Sequence, residues 1–283
     1  MVPIPGSPDW IAIGDDVWVS NRPKGNVTRI DPHSNSVKQV IEHLPGACSG
    51  LAIGFGSLWV PTCGDHAMAR LDLESGSVTA RIPVGIADSE GGIAVGAGSV
   101  WLLSDPGSVL SRIDPETNRI SGEIRLPAGC YNVAFGFGSA WVTCTKQNTL
   151  LRVNPSTNAV VATIPIGPAP RFLSVGEGSV WTLNQGDGSV TRVDPVTNKT
   201  KATIEVGIPG PGGDISAAEG SVWTTSFGFP VSRIDLATNK VVQQFVGEGG
   251  DAIRAGRGSV WLSNYKSGSE WRLDAKKVKA ITP

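Results

Sequence analysis

Apolar and polar positions alternate along most of this chain in short runs, each interrupted by glycine, proline, asparagine or aspartate. A period of two places one face of each run against a core and predicts β-strands rather than helices. The stretch 92–125 shows the pattern in full. Gly-Ile-Ala-Val-Gly at 92–96 predicts an innermost strand, and Ala97-Gly98 a tight turn into a second strand over 99–103 that carries Trp101. A third strand over 108–114 follows a variable loop. Asp114-Pro115-Glu116-Thr117-Asn118 then predicts a hairpin turn, in which proline presets φ and asparagine tolerates the left-handed region. An outer strand over 119–125 completes the unit.

This unit recurs. Trp18, Trp59, Trp101, Trp141, Trp181, Trp223 and Trp261 share one local context, G-x-G-S-V-W or a close variant, with a mean spacing of 40.5 residues. Each is followed by a segment like Ser111-Arg112-Ile113-Asp114-Pro115 and by one like Ile164-Pro165-Ile166-Gly167. Four strands in about 40 residues, seven times over, predict an all-β fold. The expectation is a seven-bladed β-propeller of four-stranded antiparallel blades, one domain spanning 1–283. Two residues before the glycine, or in the sixth blade Ala218, that ends each inner strand stand Ala12, Ala52, Ala94, Ala134, Ser174 and Ser216, small as crowding around one axis requires; Arg254 breaks that series. The repeated tryptophans are expected to pack between blades, and the turn aspartates to be framework without a catalytic role. Residues 278–282 resemble an outer strand and Val2–Gly6 the tail of one, so the termini are expected to meet in one blade and close the ring.

The repeated unit, Ser-Arg-Ile-Asp-Pro followed by Thr-Asn, then a glycine-ended inner strand and Gly-Ser-Val-Trp, resembles the bacterial YncE-like or YVTN-repeat propellers along the whole chain. More loosely it resembles the propeller of streptogramin B (virginiamycin B) lyase. The first resemblance implies a seven-bladed ring, often extracytoplasmic, with no common catalytic mechanism. The second implies elimination chemistry on a cyclic depsipeptide, using a top-face histidine and glutamate with a magnesium ion. Lyase blades read W-F-T-E; here the stretches are Trp141-Val142-Thr143-Cys144 and Trp101-Leu102-Leu103-Ser104. The lyase histidine lies in a late blade, whereas His33, His43 and His66 all fall in the first two, so no lyase residue carries over.

Composition narrows the field further. Glycine (36) and proline (20) supply the turns, and a formal net charge of −1 with dispersed lysines and arginines argues against nucleic acid or an anionic membrane as partner. No apolar run is long enough for a transmembrane helix. A monomer is expected. Cys48 and Cys130 each precede the blade tryptophan by 11 residues, while Cys63 and Cys144 follow it by 4 and 3. Both positions belong to loops on one face, so Cys48–Cys63 and Cys130–Cys144 are expected disulfides, each contributing about 3 kcal/mol; free thiols or a zinc site are the competing readings. Disulfides would place the protein in the periplasm or outside the cell, with an export signal that this sequence does not show.

Catalytic motifs are absent: there is no G-x-S-x-G, H-E-x-x-H or phosphate-binding glycine loop. The candidate site is the top face, where the inner strands begin and blades differ most. Trp10, Glu90, Tyr131, Asn132, Arg171, Phe172, Asp214 and Asp251 come from strand starts, with Arg254 deeper on the axis. Arg254 and Arg171 would receive an anion between walls of Trp10, Tyr131 and Phe172; the plain alternative is that Arg254 and Asp214 or Asp251 form a structural ion pair. Glu90, Asp214, Asp251 and Asn132 would suit Mg²⁺ or Ca²⁺ if a cofactor is used. Asp65 and His66 are the one acid/base candidate pair, against the simpler reading of an exposed loop histidine. Two functions fit: an extracytoplasmic propeller binding a small, anionic ligand or a protein, or a lyase or hydrolase with a divalent metal in the same funnel.

Overall fold

The computed structural model describes residues 1–21, 25–86, 91–105, 108–207, 212–226, 229–245 and 250–276. Seven four-stranded antiparallel sheets stand in a ring, and no helix occurs among the described residues. Blade 3 follows the alternation of its sequence: its strands are Ile93–Gly96, Ser99–Ser104, Val109–Asp114 and Arg119–Arg125. Burial peaks at the second strand of each blade and is lowest at the rim. The second strands, such as Ser139–Cys144, are buried along their whole length because both faces meet other blades, while outer strands such as Ala159–Pro165 are mostly exposed.

The ring closes through the N-terminus. Ile253–Gly256, Ser259–Asn264 and Ser269–Asp274 form three strands of blade 7, and Val2–Pro3 is its outer one, with Val2 opposite Glu270 and Pro3 opposite Ser269. The amide of Ile4 extends the pairing to the Gly268 carbonyl at 2.9 Å. The outer-strand character of Val2–Gly6 is therefore real; residues 278–282 lie outside the described residues.

The seven repeated tryptophans are all fully buried. Each faces an arginine directly across the sheet, from Trp18 with Arg29 to Trp261 with Arg272. The guanidinium carbon lies 4.5–5.2 Å from the indole centroid in every blade. In blades 1 to 5 and 7 the same guanidinium then reaches into the next blade. Arg152 of blade 4 donates to Ser139 Oγ at 2.9 Å in its own blade, then to the Pro195 carbonyl at 2.8 Å and Asn198 Oδ1 at 3.0 Å in blade 5. Arg272 makes the matching contacts from blade 7 to Pro32 and Asn35 of blade 1, so the seam between first and last blades carries the same fastening.

The turn chemistry exists to present that acceptor. Asn35, Asn118, Asn158, Asn198 and Asn239 all adopt φ between 53° and 57°, the left-handed conformation asparagine tolerates. The aspartate that opens the turn accepts backbone N–H groups two and three residues on. Those amides of Thr197 and Val196 hold the Asp194 carboxyl down at about 2, and Asp31, Asp72, Asp114 and Asp235 are lowered for the same reason. These carboxylates are turn acceptors.

Arg152→Ala removes three hydrogen bonds and a cation–π contact at one seam. The expected loss is roughly 2 kcal/mol, read as a lower urea midpoint with an unchanged slope. An unaltered midpoint would show that the seams are held by apolar packing alone.

Candidate ligand site at the centre of the top face

One level of the funnel is built from the residue two before the small residue of each inner strand: Trp10, Gly50, Gly92, Asn132, Phe172, Asp214 and Ala252. Their sizes are complementary across the ring. Trp10 is large where blades 2 and 3 contribute only glycine, and a Cβ built on Gly50 would stand 3.5 Å from the Trp10 ring. Asn132 leans in the same way over Gly92, where a Cβ would meet its Oδ1 at 1.9 Å.

The space left by those glycines lets Trp10 cross from blade 1 to Phe172 of blade 5, edge to face, with centroids 5.7 Å apart. Phe172 meets Tyr131 of blade 4 edge-on at 6.1 Å. Arg171 lies 4.3 Å from the Tyr131 centroid and donates to its hydroxyl; Arg254 of blade 7 lies 5.7 Å from the Trp10 centroid at the other end. Five of the residues singled out in the sequence thus form one continuous chain across the mouth: Arg254, Trp10, Phe172, Tyr131 and Arg171. Both ends are cationic and the middle is aromatic, the order in which ring quadrupoles and guanidinium groups attract.

Asp214 joins this chain through Arg254, to which its Oδ2 is salt-bridged. The same oxygen accepts the Ile253 amide at 3.1 Å, and Oδ1 accepts the Ile215 amide at 2.8 Å. Burial pushes the Asp214 carboxyl above its ordinary value, against the opposing pull of Arg254 and the two amides. Both carboxylate oxygens are already engaged, which leaves little capacity to ligate a metal. Among the described residues no three of His, Cys, Asp and Glu gather as a metal site, and Glu90 lies outside those residues.

Beneath the chain lies a channel cavity of about 290 Å³, bounded by Trp10, Asn132, Ser174 and Arg254 and by apolar side chains including Val95 and Phe135. Trp10 is 4 % exposed, yet its indole Nε1 has no hydrogen-bond partner among the described residues. A buried indole N–H without an acceptor is unusual, and here it belongs to a side chain lining a polar-edged cavity.

Hydroxyls two residues after the blade tryptophan fix the strand starts, a device not noticed in the sequence although the recurrence of Thr or Ser there was legible. Thr143 Oγ1 donates to the Arg171 carbonyl at 2.7 Å, Thr225 Oγ1 to that of Asp251, and Ser263 Oγ to that of Asp9 at 2.6 Å. Asp251 is thereby held at the start of blade 7. Also missed were Gly50 and Gly92, whose absent side chains are what admit Trp10.

The remaining candidates lie further out. Asp65 pairs with Arg81 at 2.8 Å, and His66 is exposed with φ 51°. Cys48–Cys63 and Cys130–Cys144 are both disulfides, and no described cysteine is free. Each stands immediately before a site residue or its neighbour: Tyr131 follows Cys130, and Gly50 lies two past Cys48.

No protein-family model matches this chain, and no curated protein matches it. Solved structures do. A streptogramin B lyase superposes with a TM-score of 0.79 at 21 % identity, covering 93 % of this chain and 92 % of that one. A catalytically inactive virginiamycin B lyase from Staphylococcus aureus with quinupristin gives 0.78 at 18 %, covering 92 % of each. BamB from Moraxella catarrhalis gives 0.69 at 12 %, covering 98 % and 84 %. At such identities the likeness is one of fold.

Arg254→Ala would strand the buried Asp214 carboxylate. Because Arg254 is partly exposed, the expected loss at neutral pH is at the low end for a broken buried pair, roughly 2–3 kcal/mol. Asp214 has a raised folded value, so its penalty is absent below the ordinary aspartate range and grows as pH rises. The deficit should therefore shrink on acidification, and Asp214→Ala/Arg254→Ala should recover part of it at neutral pH in thermal unfolding.

Proposed function

We propose that this protein is an extracytoplasmic, monomeric binding propeller of the YncE-like kind, whose top-face centre receives a small acidic molecule. The single observation that supports this most is the unpartnered Trp10 N–H, buried beside Arg254 in a chain that ends at Arg171 and lies over the channel cavity. Such a donor is expected to find its acceptor in a ligand or water, and guanidinium groups at both ends of an aromatic wall favour a carboxylate or phosphate over a neutral group.

Two disulfides support the compartment, since they persist where thiols are oxidised. A near-neutral chain with dispersed charge supports a small molecule or protein as partner, without nucleic acid or membrane insertion.

The second reading is a lyase or hydrolase using a divalent ion, and the observation favouring it is the fold likeness to the streptogramin lyases over nine-tenths of both chains. The carboxylates give it less support than the sequence suggested, because Asp214 is held by Arg254 and two amides and Asp65 by Arg81.

A thermal-shift and calorimetric survey of small carboxylates and phosphates, with and without Mg²⁺ or Ca²⁺, tests both readings. Trp10→Phe keeps one aromatic ring in the wall but removes the N–H together with the second ring; it should lower the melting temperature modestly, as a buried large-to-small change does, and weaken an acidic ligand by about 5- to 10-fold or more, at least one hydrogen bond's worth. A hit that binds Trp10→Phe as tightly as the parent protein would remove the site from the funnel. Consumption of the hit only when metal is present would favour the enzyme.

A further inference from the structure

The third strand of each blade carries a fixed apolar position two residues before the arginine that fastens the seam. Six blades place Val27, Met68, Leu110, Leu150, Val190 and Val231 there, all buried. Blade 7 places Glu270 there, and it is 0 % exposed. A carboxyl in place of six apolar side chains, in the one blade completed by the N-terminal strand, calls for a physical account.

Its hydrogen bonds supply one. Glu270 stands between Ser263 on one side and Val2 of the closing strand on the other. Ser263 Oγ lies 2.6 Å from the Asp9 carbonyl of blade 1 and 3.1 Å from Glu270 Oε2. A carbonyl only accepts, so the single serine proton belongs to Asp9. The contact with Glu270 then needs a proton from the carboxyl, which completes a relay from Glu270 through Ser263 to Asp9 across the last seam. The other oxygen, Oε1, is buried and has no partner among the described residues, a tolerable state for an acid and a costly one for a carboxylate.

No cation bonds the carboxyl among the described residues. In Glu270's own strand, Arg272 is held at the far end by Pro32 and Asn35, and Asp274 caps a turn. In blade 1, Arg29 turns to the opposite side, to Asp16 and the Glu74 carbonyl, and Asp31 caps its own turn. Asp9, in the inner strand of blade 1, has the same sign as an ionised Glu270, and Met1, ahead of Val2, is exposed. Among the described residues nothing facing the group favours its charge.

We propose that Glu270 is a proton-operated latch on the ring closure: the N-terminal strand seats on blade 7 while the carboxyl is neutral and loosens when it ionises. Burial raises the carboxyl well above its ordinary 4.5. The linkage has a definite sign. Closure is fully favoured below the ordinary glutamate value and is weakened as pH rises from there through the raised one, the opening constant growing up to about tenfold per pH unit for one released proton.

Amide hydrogen exchange of the full chain between about pH 5 and pH 9, corrected for intrinsic rates, reads the latch directly. Segments 1–6 and 268–274 should lose protection with rising pH while blades 3 to 5 stay protected. Glu270→Gln, which donates to Ser263 without ionising, should keep closing-strand exchange flat across the range, as should Glu270→Leu, which restores the residue type of the other blades. Equal pH dependence in parent and variants, or loss of protection spread evenly around the ring, would overturn the proposal. The unmutated protein supplies an independent reading: with ¹³C-labelled glutamate, its infrared spectrum at neutral pH must contain the carbonyl band of a protonated carboxyl. Absence of that band overturns the latch whatever the variants do.

Discussion

The contact on which this ring depends is a guanidinium laid across a buried indole and fastened to the next blade's turn. A propeller blade has two large faces, and apolar packing alone leaves their relative rotation weakly specified. The arginine removes that freedom, because its planar fork must satisfy a serine in its own blade and a carbonyl and an asparagine in the next. The indole beneath it is anchored in turn, donating to the carbonyl that ends its own inner strand, as Trp141 does to Gly136 at 3.0 Å. Tryptophan, arginine, serine and asparagine thus form one device at the seams led by blades 2, 3, 4, 5 and 7, all towards the face opposite the candidate site, while at the first seam Asp16 and the Glu74 carbonyl receive Arg29.

With the lower half fixed in this way, the upper half is free to vary. Inner-strand starts carry tryptophan, glycine, asparagine, phenylalanine, aspartate or alanine at one level without disturbing the strands below. What constrains them is the sum of their sizes around a closed circle. Trp10 fits because two neighbouring blades offer glycine, and Arg254 fits because Asp214 and the Trp10 face both receive it. Site and plug are consequently the same object, and a ligand must engage a chain of side chains already in contact with one another.

The parts that were legible in the sequence are those encoded within one repeat. Strand limits, the asparagine turns, the packing role of the seven tryptophans and the two cysteine pairs all follow from alternation and short spacing. The parts that were not legible depend on the ring's diameter. Nothing in local spacing says that Trp10 reaches Phe172 across the axis, that Arg254 selects Asp214, or that Asp65 turns to Arg81 and away from His66. Glu270 was missed for another reason: a single polar residue in an alternating strand reads as a solvent-facing position until the six apolar residues that replace it elsewhere are set beside it.

Two charged departures from the repeat, Arg254 and Glu270, fall in blade 7, and chain entropy gives their place a meaning; the third, Asp16 of blade 1, is paired with the seam arginine Arg29. Six seams join blades that are adjacent in sequence, whereas the seventh closes a loop running from Val2 to Glu270. Lengthening a closed loop from one repeat to nearly the whole chain costs roughly 2 kcal/mol more on the logarithmic scaling of loop entropy. The last seam therefore carries an entropic cost that the other six do not, and a perturbation of a few kcal/mol is of the size needed to move it. A buried carboxyl in the core of blade 3 would lower stability without changing shape. In blade 7 the same group acts on the one junction whose opening leaves the other six blades intact, and Ser263 carries its protonation state to Asp9, the residue beside Trp10 at the edge of the funnel.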